Sequence, residues 1–144
     1  MFVQERIGLN GKIFKCYKFR TLHSNQKSLD KDSLFLSYTV PVTKVGAFLR
    51  KYNLDELPQF INVLKGNMSI VGPRPHAVAF HKVYAEYVEN INDRLLVKPG
   101  ITGLAQINNL RGDVEDKEQN KINIQQRVNC DIEYILTWSF KNDL

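Results

Sequence analysis

The stretch RKYNLDELPQ, residues 50–59, places two adjacent carboxylates where the sequence pattern predicts that a helix begins. A second stretch, KGNMSIVGPRP at residues 65–75, stops that helix and leads into a turn with one arginine between two prolines. The amino terminus of a helix and a rigidly presented guanidinium both bind phosphate groups well. The two stretches therefore predict a short helix beside a stiff turn, and they suggest phosphate chemistry between them.

Length and composition favour one globular domain over residues 1–144, with 43% hydrophobic residues and a formal net charge of +5. That charge fits a nucleic acid, an anionic membrane surface, a phosphorylated substrate, or an ordinary charged surface. We find no signature of a nucleic-acid-binding domain and expect no nucleic acid partner. The two cysteines have no metal-ligand spacing, and no apolar run reaches the roughly 18 residues of a spanning helix.

Turn residues and apolar spacing predict an α+β fold that begins with a β-hairpin and continues with several short helices. The hairpin is expected over residues 2–20, because Asn10-Gly11 lies between two β-prone runs. Apolar residues at three- and four-residue steps predict a helix from Thr43 to Tyr52. The remaining expected elements are a helical turn near 33–37, a strand at 69–71, an extended run at 101–107, and helices at 54–65, 76–91 and 117–138.

The helix at 54–65 is expected to begin with a capping box and to bury its apolar side. Asn53 is a favourable N-cap residue, and Glu56 follows three residues later. Gly66 is a typical residue for the position after the last helical turn. The side chains expected in the core are Leu57, Phe60, Ile61 and Leu64.

Asp55 and Glu56 permit two interpretations at this predicted helix start. Acids in the first turn complement the helix dipole and stabilise by about 0.3–1 kcal/mol. The capping box uses only Glu56, however, and the same helix end offers unpaired N–H groups to a phosphate. Asp55 would then be available as a nucleophile toward phosphorus. Glu56 would orient a magnesium ion, act as a base, or only cap the helix.

Five basic residues are predicted phosphate contacts, although each is also consistent with an ordinary surface cation. Arg74 lies between Pro73 and Pro75, so its backbone is restricted and its guanidinium can grip a diphosphate with two bonds. Lys18 and Arg20 would project from one face of the second strand, where they form an anion clamp or protect a sheet edge. The other two are Arg50 and Lys98.

Taken together, these motifs resemble the bacterial sugar transferase family, the monotopic phosphoglycosyl transferases. The similar stretches follow the family's order and lie at residues 4–8, 17–21, 54–59, 71–75, 98–106 and 131–139. Two further stretches, 76–79 and 110–113, are most similar to the branch that transfers glucose 1-phosphate, galactose 1-phosphate or a related hexose phosphate to undecaprenyl phosphate.

The resemblance implies an enzyme that transfers a sugar 1-phosphate from a UDP-sugar to undecaprenyl phosphate through a phosphosugar intermediate on Asp55. Such a reaction initiates the assembly of exopolysaccharide, O-antigen or another glycan at the cytoplasmic face of the inner membrane. The resemblance also implies Mg²⁺ at Asp55 and Glu56, with Glu56 assisting catalysis. The residues it implies in substrate or phosphate binding are Lys18, Arg20, Arg74 and Asp131.

The sequence departs from the family pattern in three places. The family's amino-terminal apolar membrane hairpin is not present in this sequence, which leaves an inactive remnant or an accessory UDP-sugar-binding module as the alternative function. A homodimer, or a partner that supplies a membrane segment, would then be expected. Asn67 stands where the family usually has aspartate, and Asn109 where it usually has glycine, which predicts a positive φ at position 109.

Overall fold

The computed structural model describes residues 1–23, 41–110 and 116–144. Within these ranges, short helices combine with two small two-stranded sheets, which confirms the α+β prediction. The helical turn predicted near residues 33–37 lies outside the described residues, and so does most of the motif at 110–113. In the described part of the chain, no helix is both long and apolar enough to cross a membrane.

The chain begins with the predicted antiparallel hairpin. Strand β1 (Phe2–Ile7) pairs with strand β2 (Ile13–Lys18) along their whole length. Asn10 and Gly11 have φ angles of 54° and 76°. This left-handed region is favourable for the two residue types, so the local sequence is sufficient to form the turn.

Arg20 does not share a strand face with Lys18, and that prediction is wrong. Strand β2 ends at Lys18. The next N–H, that of Phe19, donates to the Asp55 carbonyl at 2.9 Å, so the chain leaves its pairing with β1 and turns toward residue 55. The end of β2 is thereby joined directly to the acidic stretch.

Helix α1 (Lys44–Lys51) confirms the helix predicted from Thr43. The Thr43 hydroxyl accepts a hydrogen bond from the Gly46 N–H at 2.9 Å and caps the helix. Three apolar side chains of this segment, Val45, Phe48 and Tyr52, are nevertheless between 54 and 69% exposed. The described residues therefore leave the apolar face of α1 largely uncovered.

The predicted helix at 54–65 is two elements, a 3₁₀ turn (Leu54–Glu56) and helix α2 (Gln59–Leu64). Pro58 has no N–H to donate to the Leu54 carbonyl, so one α-helix does not run through both. The capping box is also wrong, because Asn53 adopts φ 54° and its side chain makes no capping hydrogen bond. A capping residue normally has extended backbone, and the left-handed Asn53 lacks it.

Helix α2 buries its polar side instead of its apolar side. Asn62 is fully buried, and its side chain accepts from the Tyr17 N–H at 3.1 Å and donates to the Lys15 carbonyl at 2.7 Å. The amide thus pairs with β2 as a neighbouring strand would, and Gln59 is buried on the same helix. The prediction of a buried apolar side is wrong, since the exposed fractions of Leu57, Phe60, Ile61 and Leu64 run from 40 to 89%.

A parallel pair of short strands follows. Strand β3 (Ser69–Val71), which was expected, pairs with β4 (Gly100–Thr102). Only the start of the predicted extended run at 101–107 is extended, because helix α4 (Leu104–Ile107) follows β4. A Cβ on Gly72 would lie 2.7 Å from the Lys98 carbonyl oxygen, so glycine permits the close approach of these backbones.

Two of the remaining helices supply side chains to the main core. Helix α3 (Val78–Tyr84) is shorter than the predicted helix at 76–91, whereas α5 (Lys117–Thr137) confirms the predicted helix at 117–138. Helix α6 (Phe140–Asp143) ends the chain. The main core consists of Tyr84, Val88, Ile91, Ile124 and Val128, and a smaller cluster consists of Phe14, Cys16 and Met68.

Candidate active site

Three distant segments bring charged side chains together at the Leu54–Glu56 turn. The Glu56 carboxylate accepts a hydrogen bond from Lys18 Nζ at 2.9 Å. Arg74 approaches the same carboxylate with both terminal nitrogens, one of them 3.1 Å from Oε2 and the other bonded to Oε1. Lys18 and Arg74 therefore both meet Glu56, which is the centre of an ion cluster.

The cations hold Glu56 in its ionised form. Burial by itself would raise the pKa of Glu56, but the hydrogen bonds and charge of Arg74, followed by those of Lys18, lower it to about 2. The Lys18 pKa is lowered by burial and by the nearby Arg74 charge. Glu56 therefore remains a carboxylate and keeps both cations at one place.

Asp55 is next to this cluster but is not part of its bonded network. Its side chain is half-buried, and its charge acts on the Arg74 guanidinium. Among the described residues, no side chain forms a hydrogen bond or an ion pair with the Asp55 carboxylate. Of the two adjacent acids, Glu56 is engaged by cations, whereas the Asp55 carboxylate has no such partner among the described residues.

The Pro73-Arg74-Pro75 turn is fixed along its backbone. Each of the four consecutive carbonyl groups from Pro73 to His76 accepts a hydrogen bond from another part of the chain. In order, the donors are the Gly100 N–H at 2.9 Å, the Arg94 guanidinium at 2.5 Å, the Arg6 guanidinium at 2.5 Å and the Ile7 N–H at 3.0 Å. Because the prolines also restrict φ, the turn presents Arg74 rigidly, with 39% of its side chain exposed.

Asp131 lies behind this turn and is linked to it through Arg94. Arg94 Nη2 is 2.7 Å from Asp131 Oδ2, and the two side chains are 4% and 2% exposed. Burial raises the pKa of Asp131 to about 6, although the charges of Arg94 and Arg127 lower it. Arg94 also donates to Nε2 of His76, whose pKa is well below 6.5 because of burial and the Arg94 charge.

The other predicted phosphate contacts lie in different surroundings. Arg50 Nε donates to the Thr21 hydroxyl at 2.8 Å, and Arg20 is exposed beyond the end of β2. Lys98 lines a cavity of about 240 Å³ together with Trp138 and Asp143. Phosphate binding by Arg20, Arg50, Lys98 and Asp131 therefore stays a prediction, and the structure does not join these four residues to Glu56 directly.

Within the acid pair, Asp55 is the carboxylate that could hold a magnesium ion together with substrate phosphates. Mg²⁺ is commonly bound through one or two carboxylates together with substrate phosphates. In the described parts of the chain, no group of three or more His, Cys, Asp or Glu side chains forms a metal site. Both Glu56 oxygens already accept from cations, so Asp55 is the carboxylate with unused acceptor capacity.

Arg94 and Arg6 were not predicted from the sequence to contribute to the site. Arg94 belongs to a 3₁₀ turn (Asp93–Leu96), and Arg6 belongs to β1. Arg6 lies in the family-like stretch at residues 4–8, whereas Arg94 lies in none of those stretches. The groups that they bind at the turn, the carbonyls of Pro75 and Arg74, are distant in the sequence, so neighbouring residues did not indicate these contacts.

The fold and the site together define a small α+β protein in which an acid pair meets lysine and arginine beside a rigid proline turn. That arrangement suits a phosphorylated substrate. The chain belongs to the bacterial sugar transferase family, whose profile matches residues 1–144.

Named relatives agree with this membership. The UDP-glucose:undecaprenyl-phosphate glucose-1-phosphate transferase of Escherichia coli (strain K12) is 48% identical over 147 residues, which cover 100% of this chain and 30% of that protein. A protein of the same name from Caulobacter vibrioides is 43% identical, covering 100% of this chain and 52% of its own length. The galactosyl transferase CpsE of Streptococcus agalactiae is 40% identical, and the match covers 100% of this chain and 32% of that protein. The chain thus spans about a third to a half of these relatives.

Proposed function

We propose that this chain is the catalytic part of an enzyme that transfers a sugar 1-phosphate from a UDP-sugar to undecaprenyl phosphate. Family membership and the names of the relatives support this reaction class. The observation that carries the proposal is the division of roles in the acid pair. Glu56 is held by Lys18 and Arg74, while Asp55 has no cation bonded to it among the described residues.

In the first proposed step, an Asp55 carboxylate oxygen attacks the β-phosphorus of the UDP-sugar. A new P–O bond forms to Asp55, and the bond from that phosphorus to the bridging oxygen breaks. UMP leaves with the bonding electron pair, and the sugar phosphate remains on Asp55 as a mixed anhydride. Covalent catalysis of this kind divides one difficult displacement into two easier ones.

In the second proposed step, a phosphate oxygen of undecaprenyl phosphate attacks the same phosphorus. The bond to Asp55 breaks, and the carboxylate leaves in its original ionised state. The product is a polyprenyl diphosphate sugar. Neither step requires a proton from the protein, which is consistent with the cations gathered at Glu56.

Arg74 and Lys18 would stabilise the negative charge on the transferring group. The Arg74 side chain is 39% exposed, so the N–H groups that do not bond Glu56 can donate to phosphate oxygens. Glu56 keeps both cations in place before the substrate arrives. Mg²⁺, held by Asp55 with the substrate phosphates, would offset the charge of the diphosphate.

The exposed apolar residues on α1 and α2 support a place of action at a membrane surface. These helices lie on either side of the Leu54–Glu56 turn in sequence, and α1 packs against that turn. The same segments expose the basic side chains of Lys44, Lys51 and Lys65. Apolar and basic residues on short helices are typical of interfacial binding to anionic lipid. We place this surface at the cytoplasmic face of the inner membrane, where it would bring Asp55 close to the lipid phosphate.

The reaction is tested by incubating the protein with UDP-glucose or UDP-galactose labelled in the sugar, with Mg²⁺ and undecaprenyl phosphate in detergent. We expect label in the lipid fraction with the wild type and none with Asp55→Asn. Label on the protein alone would show a UDP-sugar-reactive module that lacks acceptor delivery. Label in the lipid fraction from folded Asp55→Asn would contradict the nucleophile assignment.

Membrane binding is tested by sedimentation with vesicles that contain phosphatidylglycerol. The Phe48→Ser, Leu64→Ser double variant should bind at least about tenfold more weakly, since two exposed apolar side chains are lost. Ile122→Ser is the matched control, because Ile122 is 51% exposed on the distant helix α5. Equal binding by the wild type and the double variant would contradict the assignment of this surface.

A further inference from the structure

The buried Arg94–Asp131 pair touches the turn that carries Arg74, but the proposed reaction does not use it. One atom, Arg94 Nη2, lies 2.7 Å from the Asp131 carboxylate and 2.5 Å from the Arg74 carbonyl oxygen. A buried ion pair adds little net stability, because the loss of solvation offsets the attraction between the charges. The contact with the turn therefore points to a role in geometry.

The position of the Arg74 carbonyl determines where the Arg74 side chain begins. Both groups are attached to the same Cα, and the prolines on either side restrict the backbone. Once the carbonyl is fixed, only the side-chain torsions remain free. Arg74 then reaches the Glu56 carboxylate with both terminal nitrogens, and that two-bond geometry is sensitive to direction.

We propose that Arg94, held by Asp131, is a positioning residue that fixes the Arg74 carbonyl and thereby aims the Arg74 guanidinium at Glu56. His76 completes the arrangement, since its Nε2 accepts from the second terminal nitrogen of Arg94. The guanidinium of Arg94 is therefore shared among a carboxylate, a carbonyl and a neutral ring. The orientation of Arg74 follows from these contacts alone, whereas its consequence for transfer rests on the proposed function.

The orientation of the Arg74 guanidinium is tested by NMR of the arginine side chains in ¹⁵N-labelled protein, through the rate at which its terminal N–H groups rotate. A guanidinium bonded twice to a carboxylate rotates slowly about its Cζ–Nη bonds, so Arg74 should be restrained in the wild type. In Arg94→Gln we expect its terminal N–H groups to rotate at least about tenfold faster, because the two-bond contact loosens. Arg74→Lys assigns the signals by removing them.

Val128→Ala is the matched control, since Val128 is fully buried on the same helix as Asp131 and forms part of the core, not of the turn. If the Arg74 guanidinium in folded Arg94→Gln rotates at the wild-type rate, the proposal is overturned. Equal acceleration in Val128→Ala would also overturn it, because general loosening of the fold would then be sufficient. If Arg94→Gln does not fold, Asp131→Asn and Arg94→Lys decide by the same measurement.

The catalytic consequence is measured separately by steady-state transfer. For Arg94→Lys we expect kcat to fall about tenfold with little change in KM for the UDP-sugar, because a misdirected group affects the reacting geometry. Val128→Ala should keep the wild-type kcat per folded molecule. If the Arg74 guanidinium rotates faster in Arg94→Lys but kcat is unchanged, the proposed effect of Arg94 on catalysis is wrong. Absence of transfer by the wild type would refute the proposed function, and the NMR result alone would then decide the orientation of Arg74.

Discussion

The Arg74–Glu56 pair and the Arg94–Asp131 pair join the same kinds of group, but they differ in burial and in the state of the carboxylate. The Arg74 side chain is 39% exposed and that of Arg94 only 4%. The pKa of Glu56 is lowered to about 2, whereas that of Asp131 is raised to about 6. At Glu56, two cations lower the pKa by more than burial raises it. At Asp131, burial raises the pKa by more than the cations lower it. One pair is open to a substrate, and the other is enclosed and supports it.

The largest effect on transfer is expected at Asp55, next to the open pair. Asp55→Asn keeps the shape of the side chain but removes its nucleophilic oxygen charge, so transfer should fall on the order of 10⁴-fold or more. The melting temperature should stay close to that of the wild type, since the Asp55 carboxylate has no bonded partner among the described side chains. The labelled assay measures transfer, and thermal unfolding measures the melting temperature. A large fall in melting temperature would indicate that Asp55 stabilises the fold.

The largest effect on stability is expected at the enclosed pair. Asp131→Ala leaves the buried Arg94 charge without its carboxylate, which should lower the free energy of unfolding by about 3 kcal/mol. Urea unfolding measures this value. Glu133→Ala, at an exposed position on the same helix, should change it little. Similar values for the two variants would contradict the assignment of Asp131 to a supporting pair.

Glu56 should make stability depend on acid pH. Its folded pKa lies below its ordinary value of 4.5, at about 2, so its contribution is present above about pH 4.5 and is lost as pH falls toward 2. The lost free energy is at most about 3 kcal/mol. Glu56→Gln should therefore flatten the acid side of the stability curve, as measured by urea unfolding from pH 7 downward. Parallel curves for the two proteins would show that Glu56 is not held by the cations.

A smaller effect on kinetics is expected when lysine replaces Arg74, because the charge is kept but the planar guanidinium is lost. Arg74→Lys cannot form two parallel hydrogen bonds to a phosphate or to Glu56, so kcat/KM for the UDP-sugar should fall about tenfold. Steady-state kinetics at fixed undecaprenyl phosphate measure this change. Unchanged kinetics would mean that the open pair supplies only charge.

The smallest effect concerns the exposed apolar side of α2. Leu64 is 89% exposed, so Leu64→Ser should change the free energy of unfolding by less than about 0.5 kcal/mol. Asn62→Leu, on the buried side, should cost about 2 kcal/mol because it leaves the Tyr17 N–H and the Lys15 carbonyl unpaired. Urea unfolding of both variants tests this, and a large loss for Leu64→Ser would indicate that this side is covered in solution.

Local rules in the sequence determined several features of this protein. Asn10-Gly11 was sufficient to specify the hairpin turn, and Gly66 ends its helix with φ 76° as expected. The positive φ predicted at Asn109 is confirmed at 58°. The long helix α5 was also predictable almost to the residue. These features depend on the conformational preferences of neighbouring residues, which the sequence states directly.

Only the tertiary structure decided which side of α2 is buried and which arginines support the site. An apolar spacing shows that a helix has two unlike sides, but the side that is buried depends on what packs against it. Here β2 presented backbone groups that an amide could satisfy, so Asn62 is buried and Leu64 is exposed. The pairing of Arg94 with Asp131 likewise joins positions far apart in the chain. The acid pair was recognisable in the sequence through a local motif, whereas the support behind Arg74 depends on contacts that form only when the chain is folded.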